Sequence, residues 1–213
     1  MTTEDLLRTH NIARCLSVFA AACVVLCSTG CDQPSEYDRM VQRELAKGVT
    51  FNELFLGYEF GMPRDSFYNH SWELNRQGLV VQGPANRSVQ YELDDELPGT
   101  AKMLFYPEFH EDRIFQMRVR YLYDGWAPWT RHLSSDSLQM DVIDLYREWY
   151  GDGFIELTRT RESFGENVHY VKVDGNRQIV VTRGSDRDVV AVFTDLLTAK
   201  RIEDERNGRG DGA

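Results

Sequence analysis

The chain has 213 residues, with 24 Lys and Arg against 34 Asp and Glu, and a formal net charge of −10 at pH 7. Glu4 and Asp5 cancel Arg8 and Arg14, so the excess negative charge belongs to the chain beyond Gly30. That balance excludes nucleic acid and anionic lipid headgroups as direct electrostatic partners. Aromatic residues make up 12%, enough for a proper core in one domain or two small ones.

The chain opens on a polar stretch and then runs from Cys15 to Cys27 (CLSVFAAACVVLC) with only Ser17 polar. This run matches the apolar part of a signal peptide and falls short of the roughly 20 residues that span a bilayer. Ser28-Thr29-Gly30-Cys31 follows, and all four cysteines (Cys15, Cys23, Cys27, Cys31) lie at or before it. An exported domain built from the rest has no cysteine pair to staple it, so its core alone must stabilise it.

Ser28-Thr29-Gly30-Cys31 resembles a bacterial lipobox. Thr29 and Gly30 suit that pattern, while Ser28 stands where Leu is usual. The resemblance implies a lipoprotein precursor of an uncharacterised exported family. Residues 1–30 would be its signal peptide and 31–36 a tether, with Cys31 diacylated, carrying palmitate-type chains, and serving as the mature N-terminus. It implies localisation to the cell envelope, anchored in a membrane whose identity stays open. One acyl chain binds only reversibly, and two or three anchor firmly. The competing readings are an ordinary signal peptide or a buried helix. Cleavage at Ala20-Ala21-Ala22-Cys23 would leave only a stub of apolar leader.

The elements follow in order. A helix is expected from about 35 to 47, with Tyr37, Met40, Val41 and Leu45 at helical spacing and Gly48 as its stop. Residues 49–61 predict a short strand or tight connection. Met62-Pro63 opens a second helix, with Pro at its first position, ending at Gln77 before Gly78. Phe67, Ser71 and Leu74 share its inner face, and Tyr68 and Trp72 lie beside it. Strands are expected at 79–83 and 88–93, then a hairpin over 101–123 turning at His110–Arg113. In its second arm Phe115, Met117, Val119, Tyr121 and Tyr123 point one way, and Gln116, Arg118 and Arg120 the other. One wet face means an antiparallel sheet.

Gly125-Trp126-Ala127-Pro128-Trp129 interrupts this pattern. A third helix is expected from Ser135 to Tyr150 on Leu138, Val142, Leu145, Tyr146 and Trp149, capped by Ser134 or Ser135 and ended by Gly151. Strands resume at 154–159, 168–173, 177–183 and 188–194, with Asp174-Gly175 as a hairpin turn. From Lys200 the chain is charged and Gly-rich, which predicts a disordered tail over 200–213. Arg209-Gly210-Asp211 within it is an incidental tripeptide. The expected class is α+β: an antiparallel sheet with helices packed on one face in a domain over 37–199. Helix-then-strands recurs, giving possible duplicated halves at 49–124 and 130–199, which would share one sheet or form two small sheets side by side. Gly61-Met62, entering the second helix, resembles the Gly-Met-Thr start of small β-barrel-assembly lipoproteins, with Pro63 in place of Thr.

Candidate sites are few. Trp126 and Trp129, two rigid aromatics on one loop, could form a stacking platform for a sugar, peptide or partner protein, or could cover the sheet. Arg118 and Arg120 could grip a carboxylate or phosphate, or be ordinary surface charge. Glu108, His110, Glu111 and Asp112 could gather a cation, but only a local cluster is visible, as in a solvated hairpin turn. Asp94, Asp95 and Glu96 lack the alternation of a calcium loop. His70 and His169 match structural histidines, and His132 has no assignable partner. No nucleophile motif, zinc spacing or nucleotide fingerprint occurs, so no metal, cofactor or catalytic set is assigned. The favoured expectation is a non-catalytic binding or assembly module. It would be held to a membrane by its N-terminal lipid and would contact another envelope protein. The alternatives are an envelope-polymer hydrolase using paired carboxylates and a carrier of a small apolar ligand.

Overall fold

The structure, a computed structural model, describes residues 34–161 and 165–210. The expected signal peptide, the lipid-attachment residue Cys31 and the start of the tether lie outside them. The chain divides into two compact units, Met1–Arg39 and Met40–Ala213. Helix α1 (Glu36–Ala46) begins in the first. Its N-terminus is closed by a reciprocal cap: Ser35 Oγ accepts from the Asp38 N–H at 3.1 Å, and Asp38 Oδ2 accepts from the Ser35 N–H at 3.1 Å.

In the second unit a tight turn over residues 53–59 is closed by a bridge between Glu53 and Glu59. Helix α2 (Arg64–Arg76) follows, then strands β1 (Val81–Gln82), β2 (Val89–Leu93), β3 (Ala101–His110) and β4 (Arg113–Tyr123). Helix α3 (Ser135–Tyr150) precedes β5 (Ile155–Arg161), β6 (Gly165–Asp174), β7 (Arg177–Arg183) and β8 (Asp188–Asp195), and α4 (Leu196–Gly210) ends the described chain. All eight strands join one antiparallel sheet in the order β1-β2-β3-β4-β8-β7-β6-β5. Each helix-plus-four-strand stretch is a meander, and the meanders meet where β4 pairs β8, with Val119 opposite Ala191. The α+β class expected from the sequence is the class observed.

One face of the sheet carries the core. Met103, Phe105, Met117, Val119 and Tyr121 from the first meander and Ile179, Val181, Val189, Ala191 and Phe193 from the second are buried there. Helix α3 adds Leu138, Val142, Ile143, Leu145 and Tyr146, at the spacing that puts them on one side of a helix. Helix α2 adds Phe67 and Leu74, and the 53–59 turn adds Leu54, Phe55 and Tyr58, with Phe60 just after it. Each fully buried aromatic or aliphatic side chain contributes about 1.5–3 kcal/mol of transfer free energy. A core of this extent needs no disulfide.

Several local expectations differ from the structure. A bulge between Glu108 and Phe109 shifts the β3–β4 register, so that Phe109 faces Ile114. Ile114 therefore takes the core position and Phe115 does not; its ring lies against His110 at 6.4 Å. Pro63 is the N-cap of α2, one residue outside the helix, with extended backbone. Ser134 is the N-cap of α3 but makes no side-chain capping bond. Residues 200–210, expected to be disordered, continue α4. Among the described residues no helix is long and apolar enough to cross a membrane.

Candidate functional site

Strand alternation sends every second residue of β3 and β4 to the face turned away from the core. On β4 these are Gln116, Arg118, Arg120 and Leu122; opposite them on β3 stand Glu108, Tyr106, Leu104 and Lys102. Strand β8 completes the rows with Thr194, Val192, Val190 and Asp188. Arg118 and Arg120 are exposed, as the sequence predicted.

Two adjoining clefts lie on this outer face, of about 420 and 310 Å3, and share Pro84, Leu104 and Arg120. The first also holds Arg87, Tyr106, Glu108 and Arg118. The second holds Lys102, Leu122, Asp124, Trp126 and Arg187. Five cations therefore line the clefts against two acids, in a chain whose acids otherwise outnumber its bases. Lys102 Nζ donates to Asp124 Oδ1 at 2.7 Å, which raises its pKa. Arg120 Nε lies 3.7 Å from Asp188 Oδ2, too loose for a hydrogen-bonded pair. The Arg187 guanidinium lies over the Trp126 ring at 5.6 Å from its centroid. Arg118 makes no ion pair among the described residues.

The predicted residues divide accordingly. Arg118, Arg120 and Trp126 come together in this pair of clefts. Trp129 does not join them: it is 83% exposed and lines neither cleft. Arg87, Lys102, Tyr106 and Arg187 were not identified from sequence. Lys102, Leu104 and Tyr106 alternate along β3, a signal that could have placed them with Arg118 and Arg120. Arg187 reaches the site only through the β4–β8 pairing, which has no local sequence signature.

Other candidates resolve differently. Glu111 and Asp112 form the β3–β4 turn at φ of 47° and 62°, and Asp112 pairs with Arg64 at 2.7 Å. His110 Nε2 lies 3.9 Å from Glu205 of α4. No group of three or more His, Cys, Asp or Glu that could hold a metal ion occurs among the described residues. His70 Nε2 bonds the Leu56 carbonyl at 2.7 Å, and its ring packs edge-on against Tyr58. Glu44 and Glu96 are both held below the usual carboxylate range. For Glu44 the cause is the hydrogen bond from Lys47; for Glu96, burial pushes the other way and is outweighed by Tyr91 and backbone N–H groups. A general acid needs the opposite shift.

Two further recesses lie elsewhere. One, of about 340 Å3, runs between α2 and the β1 edge, lined by Tyr68, Ser71, Trp72, Val81 and Tyr106, with Trp72 61% exposed. The Tyr68 and Tyr106 hydroxyls meet at 2.7 Å, and Tyr106 borders both this groove and the outer-face clefts. The other, of about 270 Å3, is apolar and lies among Leu54, Phe55, Leu56, Tyr91, Met103, Trp149 and Tyr150.

Comparison with known proteins found no matching family, no matching curated protein and no matching solved structure.

Proposed function

We propose that the protein is a non-catalytic envelope lipoprotein that binds another envelope component through the outer face of β3 and β4. In this reading Cys31 carries the acyl chains, the residues after it set the reach, and the rigid sheet presents the contact surface. The observation that carries it is the concentration of cations beside Trp126, Leu104 and Leu122 on one exposed face of an acidic protein. Five cations that offset two acids are a local exception to the charge of the whole, and arginine forks and an aromatic anchor are characteristic of protein contacts. The lipobox-like Ser28-Thr29-Gly30-Cys31 supports the anchoring part of the reading.

The carrier alternative rests on the recess beside Trp149 and Tyr150. At about 270 Å3 it lies below the roughly 300–1,000 Å3 of ordinary ligand pockets, which favours the outer face instead. The hydrolase alternative requires two facing carboxylates with a raised pKa, and the two carboxylates whose shifts are resolved move downward.

The test is in-cell photo-crosslinking with the full-length protein. A photoreactive residue replaces Leu122 on the outer face or Met140 on the exposed side of α3, which is 43% exposed. A discrete adduct from position 122, absent from position 140 and lost with Arg120→Glu, is the expected result. Adducts from position 140 alone would reject the outer face as the contact surface.

A further inference from the structure

We infer that the outer face takes an extended acidic polypeptide segment, with carboxylates at two alternate positions and an apolar side chain at the next. This deepens the proposal above and rests on it. Arg118, Arg120 and Leu122 follow one another at every second position of β4 and leave the same face of the sheet. Successive members of that row are about 6.6 Å apart, because a strand rises roughly 3.3 Å per residue. An extended peptide has the same period, so its alternate side chains meet this row in register. A helix matches it less closely, because its same-face side chains come at uneven steps of about 4.5 and 6 Å.

The row is also chemically graded. Arg118 has no ion-pair partner among the described residues, and Arg120 has only the 3.7 Å approach of Asp188. Both guanidiniums are therefore available for the two-pronged bonding that carboxylates accept. Beyond them the row ends on Leu122, with Leu104 and Trp126 in the same cleft beside the paired Lys102 and Asp124 and the Arg187 guanidinium over the indole. A ligand that follows the β4 row meets Arg118 and Arg120 with charge and Leu122 with an apolar group.

A lone inorganic anion satisfies only the Arg118 end, and leaves the Leu122–Trp126 end empty. A long polyanion reaches beyond the clefts into a chain whose overall net charge is −10. A short acidic stretch of polypeptide meets neither objection.

The experiment uses the full-length protein in detergent and fluorescein-labelled peptides, read by anisotropy. One peptide has Glu, Glu and Leu at alternate positions, separated by Ser. A second has the same composition with the two Glu adjacent, and a third has Lys for Glu. Inorganic phosphate serves as competitor. The alternating peptide is expected to bind at least about tenfold more tightly than the permuted one, a difference of roughly 1.4 kcal/mol, and to weaken as salt is raised. Arg118→Glu and Arg120→Glu are each expected to abolish binding with circular dichroism unchanged. Arg118→Lys should retain part of it, and Arg147→Glu on α3 all of it.

Equal binding of the alternating and permuted peptides would overturn the extended register. Binding of the Lys peptide, or full displacement by phosphate, would overturn the acidic-polypeptide assignment. If no peptide binds while crosslinking from position 122 still succeeds, this inference falls and the outer-face contact stands. If both fail, both fall.

Discussion

The hydroxyls of Tyr121 and Tyr146 meet at 2.8 Å in the middle of the core, and neither residue has any solvent exposure. One belongs to β4 and the other to α3, so a single hydrogen bond ties the helix to the strand at the junction of the two meanders. Each hydroxyl is the other's partner. Tyr146→Phe should therefore leave the Tyr121 hydroxyl buried and unpaired, at a cost of about 1–3 kcal/mol. The double variant Tyr121→Phe/Tyr146→Phe should cost less than the sum of the two single variants. Urea unfolding of all four proteins gives the coupling energy; additive losses would mean that the bond is not what pays for burying these groups.

High pH should act on these two tyrosines and on three more. Burial pushes Tyr58 up to about 12, and raises Tyr121, Tyr123, Tyr146 and Tyr150 as well. A raised phenol binds its proton more tightly in the folded state, so this stability is full below the ordinary phenol value near 10 and falls as pH rises above it. Tyrosinate absorbance should thus lag behind that of free tyrosine and then rise cooperatively with loss of circular dichroism. A gradual, non-cooperative titration near the ordinary value would contradict this.

Gly175 sits in the β6–β7 turn at φ of +53°, and a Cβ there would lie against the Val49 carbonyl oxygen and 3.1 Å from Phe51 Cδ2. Gly61 has φ of +81° with open space where a Cβ would go. Gly61→Ala should cost only the left-handed strain, about 1–2 kcal/mol. Gly175→Ala should cost clearly more, because the backbone of residues 49–51 must also move. Thermal melting of the two variants gives the ranking.

Beneath that turn lies a charged cluster. Lys172 and Arg177, whose side chains are each 7% exposed, both bond Asp174, at 2.7 and 3.1 Å. Lys172 also reaches the Asp152 carbonyl, and Arg177 reaches the Glu53 carbonyl and lies over the Tyr150 ring. One carboxylate therefore balances two buried cations. Asp174→Asn should destabilise by about 3–5 kcal/mol, the cost of removing one partner from a buried pair. Replacing Arg177 by Met, which keeps an unbranched apolar stem without the charge, should cost less, since Lys172 and Asp174 would still compensate each other. Chemical denaturation of both variants tests the order.

Much of this architecture was legible in the sequence because local periodicity carries it. The stripe Leu138, Val142, Leu145, Tyr146 defines α3, and the alternation from Gln116 to Tyr121 defines β4 and places Arg118 and Arg120 outside. What local pattern cannot carry was missed. The bulge that exchanges Phe115 for Ile114 depends on the pairing of β3 with β4. The β4–β8 junction, which brings Arg187 beside Trp126, joins segments with no shared signature. The helix at 196–210 was obscured by its charge, although Leu196, Ala199 and Ile202 recur three residues apart and are half-buried. For the site, the arginines and one tryptophan were visible, while their convergence was a property of the sheet.

Anchoring through Cys31 is the claim on which display of the outer face depends. The most direct test is the intact mass and membrane partitioning of the natively expressed protein beside its Cys31→Ala variant. The account predicts a wild-type chain that begins at an acylated Cys31 and stays with the membrane, and a variant that is released or left unprocessed. A wild-type protein that is cleaved elsewhere and soluble, or that retains residues 1–30, would contradict it.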